Sequence, residues 1–256
     1  MVELVKEQFL VIVSIGTMWT YLRAIRLSHQ KATRHYINQN VESVRLYAHR
    51  IIDCLVSLTP NDKLIFMDEF SISTRPNTYY MWGEVGKQPQ IRSNEKNRTR
   101  TNGFVSVDAI SGEIDLWQSP VAKAQQVAEF CFKQAQLAVK QDFQKLYIVL
   151  DNNKTHLKAM KALFNQMLTD TNLSIDVIFK HTASYAPKYN PAEYIISIIR
   201  RKILHHMTAD FTIEQVCERM IEIAQSEQLQ TKEQVWNTID HVLNSAILGN
   251  YSYETL

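Results

Sequence analysis

The sequence predicts an α/β fold: a sheet covered on both faces by helices. Two observations carry this reading. Leu64-Ile65-Phe66-Met67 and Leu146-Tyr147-Ile148-Val149-Leu150 are continuous apolar runs of strand length, as expected for strands buried on both sides. Segments with apolar residues at three- and four-residue steps lie between and after them. A third observation concerns compactness. The chain has 256 residues, 45% of them hydrophobic, with only six Gly and six Pro, no internal repeat and no low-complexity linker. That is enough to bury a sizeable core, in one large domain or one domain with small appendages.

The elements follow in order. Ser14-Ile15-Gly16 reads as a turn and Thr17 as the cap of a short helix whose Trp19, Leu22 and Ile25 share a face. With Arg23 and Arg26 it has the shape of a recognition helix, although many small surface helices share that shape. Residues 38–57 give a second helix, with Val41, Val44, Ala48, Ile51 and Leu55 in helical phase. The strand from Lys63 ends in Asp68-Glu69. Strands at 103–109 and 114–118 pair as a hairpin through a Ser111-Gly112 turn, followed by a helix over 121–140. The strand at 146–150 runs into Asp151-Asn152-Asn153, with a helix near 155–168 and a short strand at 175–179. After a loop through Tyr185-Ala186-Pro187-Lys188-Tyr189, Asn190 stands at an N-cap and Pro191 at the first helical position, before Ile196, Ile199 and Ile203 on one face. Two last helices open with capping boxes, Thr212 with Gln215 and Thr231 with Gln234. The expected division is 1–60, 61–210 and 211–256.

Charge is uneven. The net value is +2, but residues 211–256 hold seven acids and two bases, a net −5, which leaves +7 on the first 210 residues. Basic residues gather at 23–50, at 92–100 and at Arg200-Arg201-Lys202 with His205 and His206; each is a solvated face unless something else points to phosphate. Cys54, Cys131 and Cys217 have no paired spacing, which excludes a disulfide framework and a thiolate zinc site and fits small buried hydrophobes in a reducing compartment. The apolar stretch at 10–15 is too short to span a bilayer and no cleavage site follows it, so the expectation is a cytoplasmic protein with no membrane partner.

Three carboxylates stand where chemistry is done. Asp68 and Asp151 leave the ends of two apolar strands 83 positions apart, and Glu193 opens a helix 42 positions later. In open α/β sheets, groups beyond strand ends gather at one edge, where ligands bind. Three carboxylates converging there repel one another unless a divalent cation neutralises them, and magnesium suits hard oxygen ligands. Taken singly, the aspartates are ordinary strand-exit acids and Glu193 an ordinary first-turn acid; their joint placement favours the site. Glu69, pointing to the other face of its strand, is a neighbour rather than a ligand.

Leu64-Ile65-Phe66-Met67-Asp68-Glu69 resembles the first catalytic strand of the DDE superfamily of transposases and endonucleases, in particular its mariner and bacterial insertion-sequence group. Leu150-Asp151-Asn152, with His156 after a short gap, is similar to the second block of that family. Tyr185-Ala186-Pro187-Lys188-Tyr189-Asn190-Pro191-Ala192-Glu193 is similar to the third, Tyr-Ser-Pro-x-Leu-Asn-Pro-Ile-Glu, and Trp82-Gly83-Glu84-Val85-Gly86 resembles its Trp-x-x-x-Gly segment. The match runs over about 63–202. Ala186 and Tyr189 replace the usual Ser and Leu, and Tyr194-Ile195-Ile196-Ser197 lacks the Trp that often follows the family's Glu; all three look like packing positions.

The resemblance implies an RNase H-like mixed sheet of about five strands flanked by helices, a helix-turn-helix remnant before it and a helical tail after it. Asp68, Asp151 and Glu193 are the implied catalytic and metal-binding residues, holding two Mg2+ or Mn2+ ions. Asn152 and His156 are candidates to orient Asp151 or a nearby phosphate. Arg23, Arg26, Arg200, Arg201 and Lys202 are candidates for DNA contact. The implied activity is cleavage of transposon ends and strand transfer, with terminal inverted repeats and target DNA as double-stranded partners and a homodimer left open. The alternatives are an RNase H-like nuclease acting on another nucleic acid and an inactive DNA-binding remnant. Relatives carry two helix-turn-helix units and residues 14–35 resemble the second alone, which leaves open an active chain and a truncated or frameshifted product.

Overall fold

The computed structural model describes residues 2–27, 37–74, 90, 99–152, 154–204, 211–226 and 229–248, with the backbone alone at 154–157. The segment at 82–86, nearly all of the basic group at 92–100, His205 and His206, and the His156 side chain lie outside the described residues.

Two compact units divide between Ile37 and Asn38. The first holds α1 (Val2–Phe9) and α2 (Ile15–Ala24), neither with a buried residue. α2 starts earlier than the Gly16 turn reading implied. Ser14, not Thr17, is its cap: the Ser14 hydroxyl accepts from the Thr17 amide at 3.0 Å, and Gly16 lies within the helix. The helix ends before Arg26, which takes a left-handed φ of 63°. Trp19 and Ile25 are exposed.

The second unit is built on a five-stranded sheet in the order β3-β2-β1-β4-β5. β1 (Asp62–Ser73) pairs antiparallel with β2 (Arg100–Asp108), which pairs antiparallel with β3 (Ile114–Ser119). β4 (Lys145–Leu150) runs parallel to β1, and β5 (Asp176–His181) parallel to β4. This is the mixed sheet flanked by helices that was expected. The β2–β3 turn uses Gly112 at φ 75°, a conformation costly for any residue with a Cβ.

Alternation along β1 divides the core in two. Leu64, Phe66, Phe70 and Ile72 face α3 (Val41–Ser57), α6 (Pro191–Leu204), α7 (Ile213–Ser226) and α8 (Lys232–Leu248). Ile65 and Met67 face α4 (Ala124–Lys140) and α5 (Lys154–Thr171), which contribute Phe130, Met160 and Phe164. Both faces are thus covered, which is why β1 and β4 read as unbroken apolar runs. The acidic helices contribute Val216, Met220, Ile223, Val235, Ile239 and Val242, all buried in the first of these cores. Their capping boxes form as expected, with reciprocal Thr212–Gln215 and Thr231–Gln234 hydrogen bonds. No helix among the described residues is long and apolar enough to cross a membrane.

Candidate active site

β1 and β4 are parallel neighbours with Phe66 opposite Val149. Asp68 and Asp151 each stand two residues further on, at the same level and on the same face of the sheet; Asp151 is just past the end of β4, whereas β1 does not end at Asp68-Glu69 as the apolar run suggested but continues, paired with β2, to Ser73. That face is the one α6 covers. Glu193 lies in the first turn of α6, which starts at Pro191 after a single 3-10 turn at Pro187–Tyr189. Glu69 points to the opposite face, where its charge adds to the burial that raises the Cys131 thiol on α4.

Asn190 joins these pieces. It is 1% exposed, and its side-chain amide donates to the Met67 carbonyl at 3.0 Å and to Asp68 Oδ2 at 3.3 Å. Its Oδ1 accepts from the Ala192 amide at 3.1 Å, the capping role the sequence indicated. The other oxygen of Asp68 accepts from the Glu69 amide at 2.9 Å. Behind the loop, the buried Tyr47 hydroxyl donates to the Tyr189 carbonyl at 3.1 Å.

The electrostatics report the convergence of the acids. Burial first, and then the negative charge of Glu193, holds the Asp68 carboxyl well above the usual carboxylate range; Asp151 and Glu69 add to this and the Glu69 amide opposes it. Burial also raises Glu193, with Asp151 adding and Arg200 opposing. The two groups are therefore destabilised as anions, in part by each other.

Among the described residues no group of three or more His, Cys, Asp or Glu side chains is gathered closely enough to hold a metal ion. The acids form no finished cage. The donor chemistry nevertheless fits a hard divalent cation: three carboxylates whose mutual repulsion a cation would relieve, one of them exposed at Asp151.

The remaining sequence candidates fall into different places. Asn152 donates to the Ser184 hydroxyl at 3.1 Å, tying the loop after β4 to the loop after β5. Arg200 lies 5.6 Å over the Phe70 ring and donates to the Ser71 carbonyl at 3.5 Å, so it is packed on β1 near Glu193. Arg201 and Lys202 are exposed on the same helix, while Arg23 and Arg26 are exposed in the N-terminal unit.

Sequence reasoning missed His181 and Lys161. Burial first, then the Lys161 charge, lowers the His181 pKa, against the opposing influence of Asp151; Lys161 Nζ lies 3.2 Å from His181 Nε2. No local signal marks this pair, which meets because α5 packs against β5, with the Phe164 and Phe179 rings 5.2 Å apart and Lys161 over Phe179.

Residues 63–215 match the family model of the DDE superfamily endonucleases. The chain belongs to this family. The matched span contains Asp68, Asp151 and Glu193 in the order and places described above. Among solved structures, the chain is similar to the Mos1 transposase paired-end complex with left transposon end, at 17% identity over 98% of this chain and 74% of that one, with a TM-score of 0.67. It is similar to the mariner Mos1 paired end complex with Mg at 16% identity, over 96% and 73% of the two chains, with a TM-score of 0.68. For the Mos1 strand transfer complex the identity is 17%, over 95% and 71%, with a TM-score of 0.64. At such identities the likeness shows the fold, the RNase H-like sheet of a DDE enzyme. The comparison with curated protein sequences gives no match.

Proposed function

We propose that this chain is a DNA transposase, a metal-dependent endonuclease that cuts the ends of a DNA element and joins them to target DNA. The observation that carries the reading is that Asp68, within β1, and Asp151, just past the end of β4, each stand two residues beyond the paired Phe66 and Val149, with Asn190 holding the start of the Glu193 helix against Asp68. Family membership and the likeness to Mos1 complexes, named for transposon ends and strand transfer, favour transposition over a nuclease acting on some other nucleic acid.

Asp68, Asp151 and Glu193 would hold two divalent ions, Mg2+ or Mn2+, the first of which is present in one Mos1 complex. When bound, such ions activate a water or a terminal 3′-hydroxyl and stabilise the leaving oxygen at the attacked phosphate. Hydrolysis breaks one P–O bond and frees a 3′-hydroxyl. In joining, that hydroxyl forms a new P–O bond as the old one breaks, and no covalent link to the protein is needed. Asp68 is held by donors to both oxygens, so its orientation is set before substrate arrives. Arg201 and Lys202 supply positive charge to DNA phosphates near the site, and Arg23 and Arg26 to DNA at the N-terminal unit. A homodimer on two element ends completes the reading.

The test is strand cleavage of duplexes bearing the element's terminal repeat or a random sequence, in Mg2+ or Mn2+. Metal-dependent cleavage is expected, with Asp68→Asn, Asp151→Asn and Glu193→Gln each reducing it by about a thousandfold or more while the fold persists. Retained cleavage in any one of the three overturns the triad. Equal, repeat-independent cutting would favour the general nuclease.

A further inference from the structure

We propose that Asn190 is a positioning residue that sets the separation of Asp68 and Glu193, by tying the middle of β1 to the start of α6. The proposal rests on the nuclease reading, since only there does that separation matter.

Each part of this side chain has a partner. The amide nitrogen spans the Met67 carbonyl and Asp68 Oδ2, and Oδ1 caps α6 through the Ala192 amide. The backbone joins in: the Asn190 carbonyl accepts from the Glu193 amide at 3.1 Å and its amide donates to the Pro187 carbonyl at 2.9 Å. One buried residue is thus bonded to one acid and to the helical turn that carries another.

An amide is the group this place demands. It needs donors toward two acceptors and an acceptor toward a helix N-terminus, and Asn supplies both on a short side chain. Aspartate would cap equally well but would face the Met67 carbonyl and Asp68 with a negative oxygen. Serine would cap but would not bridge to Asp68. A cationic donor would bridge, at the expense of the negative potential that attracts a metal. With one donor on each Asp68 oxygen, further lone pairs on both stay open to a cation.

The experiment compares the wild-type chain with Asn190→Ser and Asn190→Asp in three measurements: thermal unfolding, Mn2+ affinity of the DNA-free protein by electron paramagnetic resonance titration, and kcat and KM for metal-dependent cleavage. Expected for Asn190→Ser are cooperative unfolding, a Mn2+ affinity lowered by about tenfold or more, and a lower kcat with the KM for DNA unchanged. Asn190→Asp should lose more kcat than Asn190→Ser although it is nearer in shape. Wild-type Mn2+ affinity and kcat in Asn190→Ser, or loss of cooperative unfolding in both variants, overturns the positioning role alone. A wild-type chain that neither cleaves DNA nor takes up Mn2+ in a manner sensitive to Asp68→Asn overturns the nuclease reading and this inference with it.

Discussion

Ionising Asp68 costs the metal-free protein stability. The Asp68 carboxyl, like that of Glu193, titrates above the usual carboxylate range because burial and neighbouring acids disfavour the anion. A group whose folded pKa is raised contributes stability that is fully present below its unfolded value, about 4. That stability is lost as pH rises through the folded pKa. In EDTA, Asp68→Asn should therefore melt higher than wild type at neutral pH, by roughly 2–4 °C per kcal/mol relieved, with a smaller gap at pH 5 than at pH 8. Millimolar Mg2+ or Mn2+ should raise the wild-type Tm and leave this variant nearly unmoved. A wild-type Tm above that of Asp68→Asn at pH 8 in EDTA would refute the account. The three acids stood out because each follows or opens a segment with a clear local pattern, although β1 runs on past Asp68 to Ser73, its second half being less uniformly apolar. The bridge from Asn190 to Asp68 was not legible, since it joins residues 122 positions apart; the sequence reveals only the cap that the same side chain also makes.

At the scale of elements, packing explains what periodicity could not place. Gly103 lies opposite Phe70 in the β1–β2 pairing, and a Cβ built there would come within 2.4 Å of the Phe70 ring and 2.8 Å of the Met220 methyl. The methyl can swing aside, but a buried ring cannot do so freely. Gly103→Ala should cost about 1–3 kcal/mol, seen as a lower Tm, and unchanged stability would show that the ring relaxes. The same Phe70 carries Arg200 over its face, so part of the basic run at 200–202 is bound to the sheet. This packing of Arg200 was not legible in the sequence, because charge on a helix does not reveal which side chain bends back. The misplaced start of α2 has a related cause. Ser14 and Thr17 are both capping residues three apart, their hydroxyls 2.8 Å from each other, and a Gly after the first suggested a turn where the helix had already begun.

For the molecule as a whole, charge and packing lead to different divisions, and two deletions separate them. Residues 211–256 stand apart by charge, but α7 and α8 bury Val216, Met220, Ile223, Val235, Ile239, Val242 and Leu243 in the core they share with α3, α6 and the sheet. Their apolar residues recur at three- and four-residue steps, so the packing was legible in period though masked by the acids between. Removing residues 211–256 would expose that core face, and each large apolar side chain uncovered forfeits about 1.5–3 kcal/mol. With a total stability of roughly 5–15 kcal/mol, the shortened chain should not fold. Removing residues 1–37 is expected to do the opposite. They form their own compact unit, and α1 and α2 bury no side chain. The chain from Asn38 onward should keep the Tm and the metal response of the full chain while binding DNA more weakly, with a shallower dependence on salt because Arg23 and Arg26 are gone. Circular dichroism melts and a salt titration of DNA binding decide both halves. A folded chain ending at 210, or one starting at 38 with a markedly lower Tm, would show that the core has been divided in the wrong place.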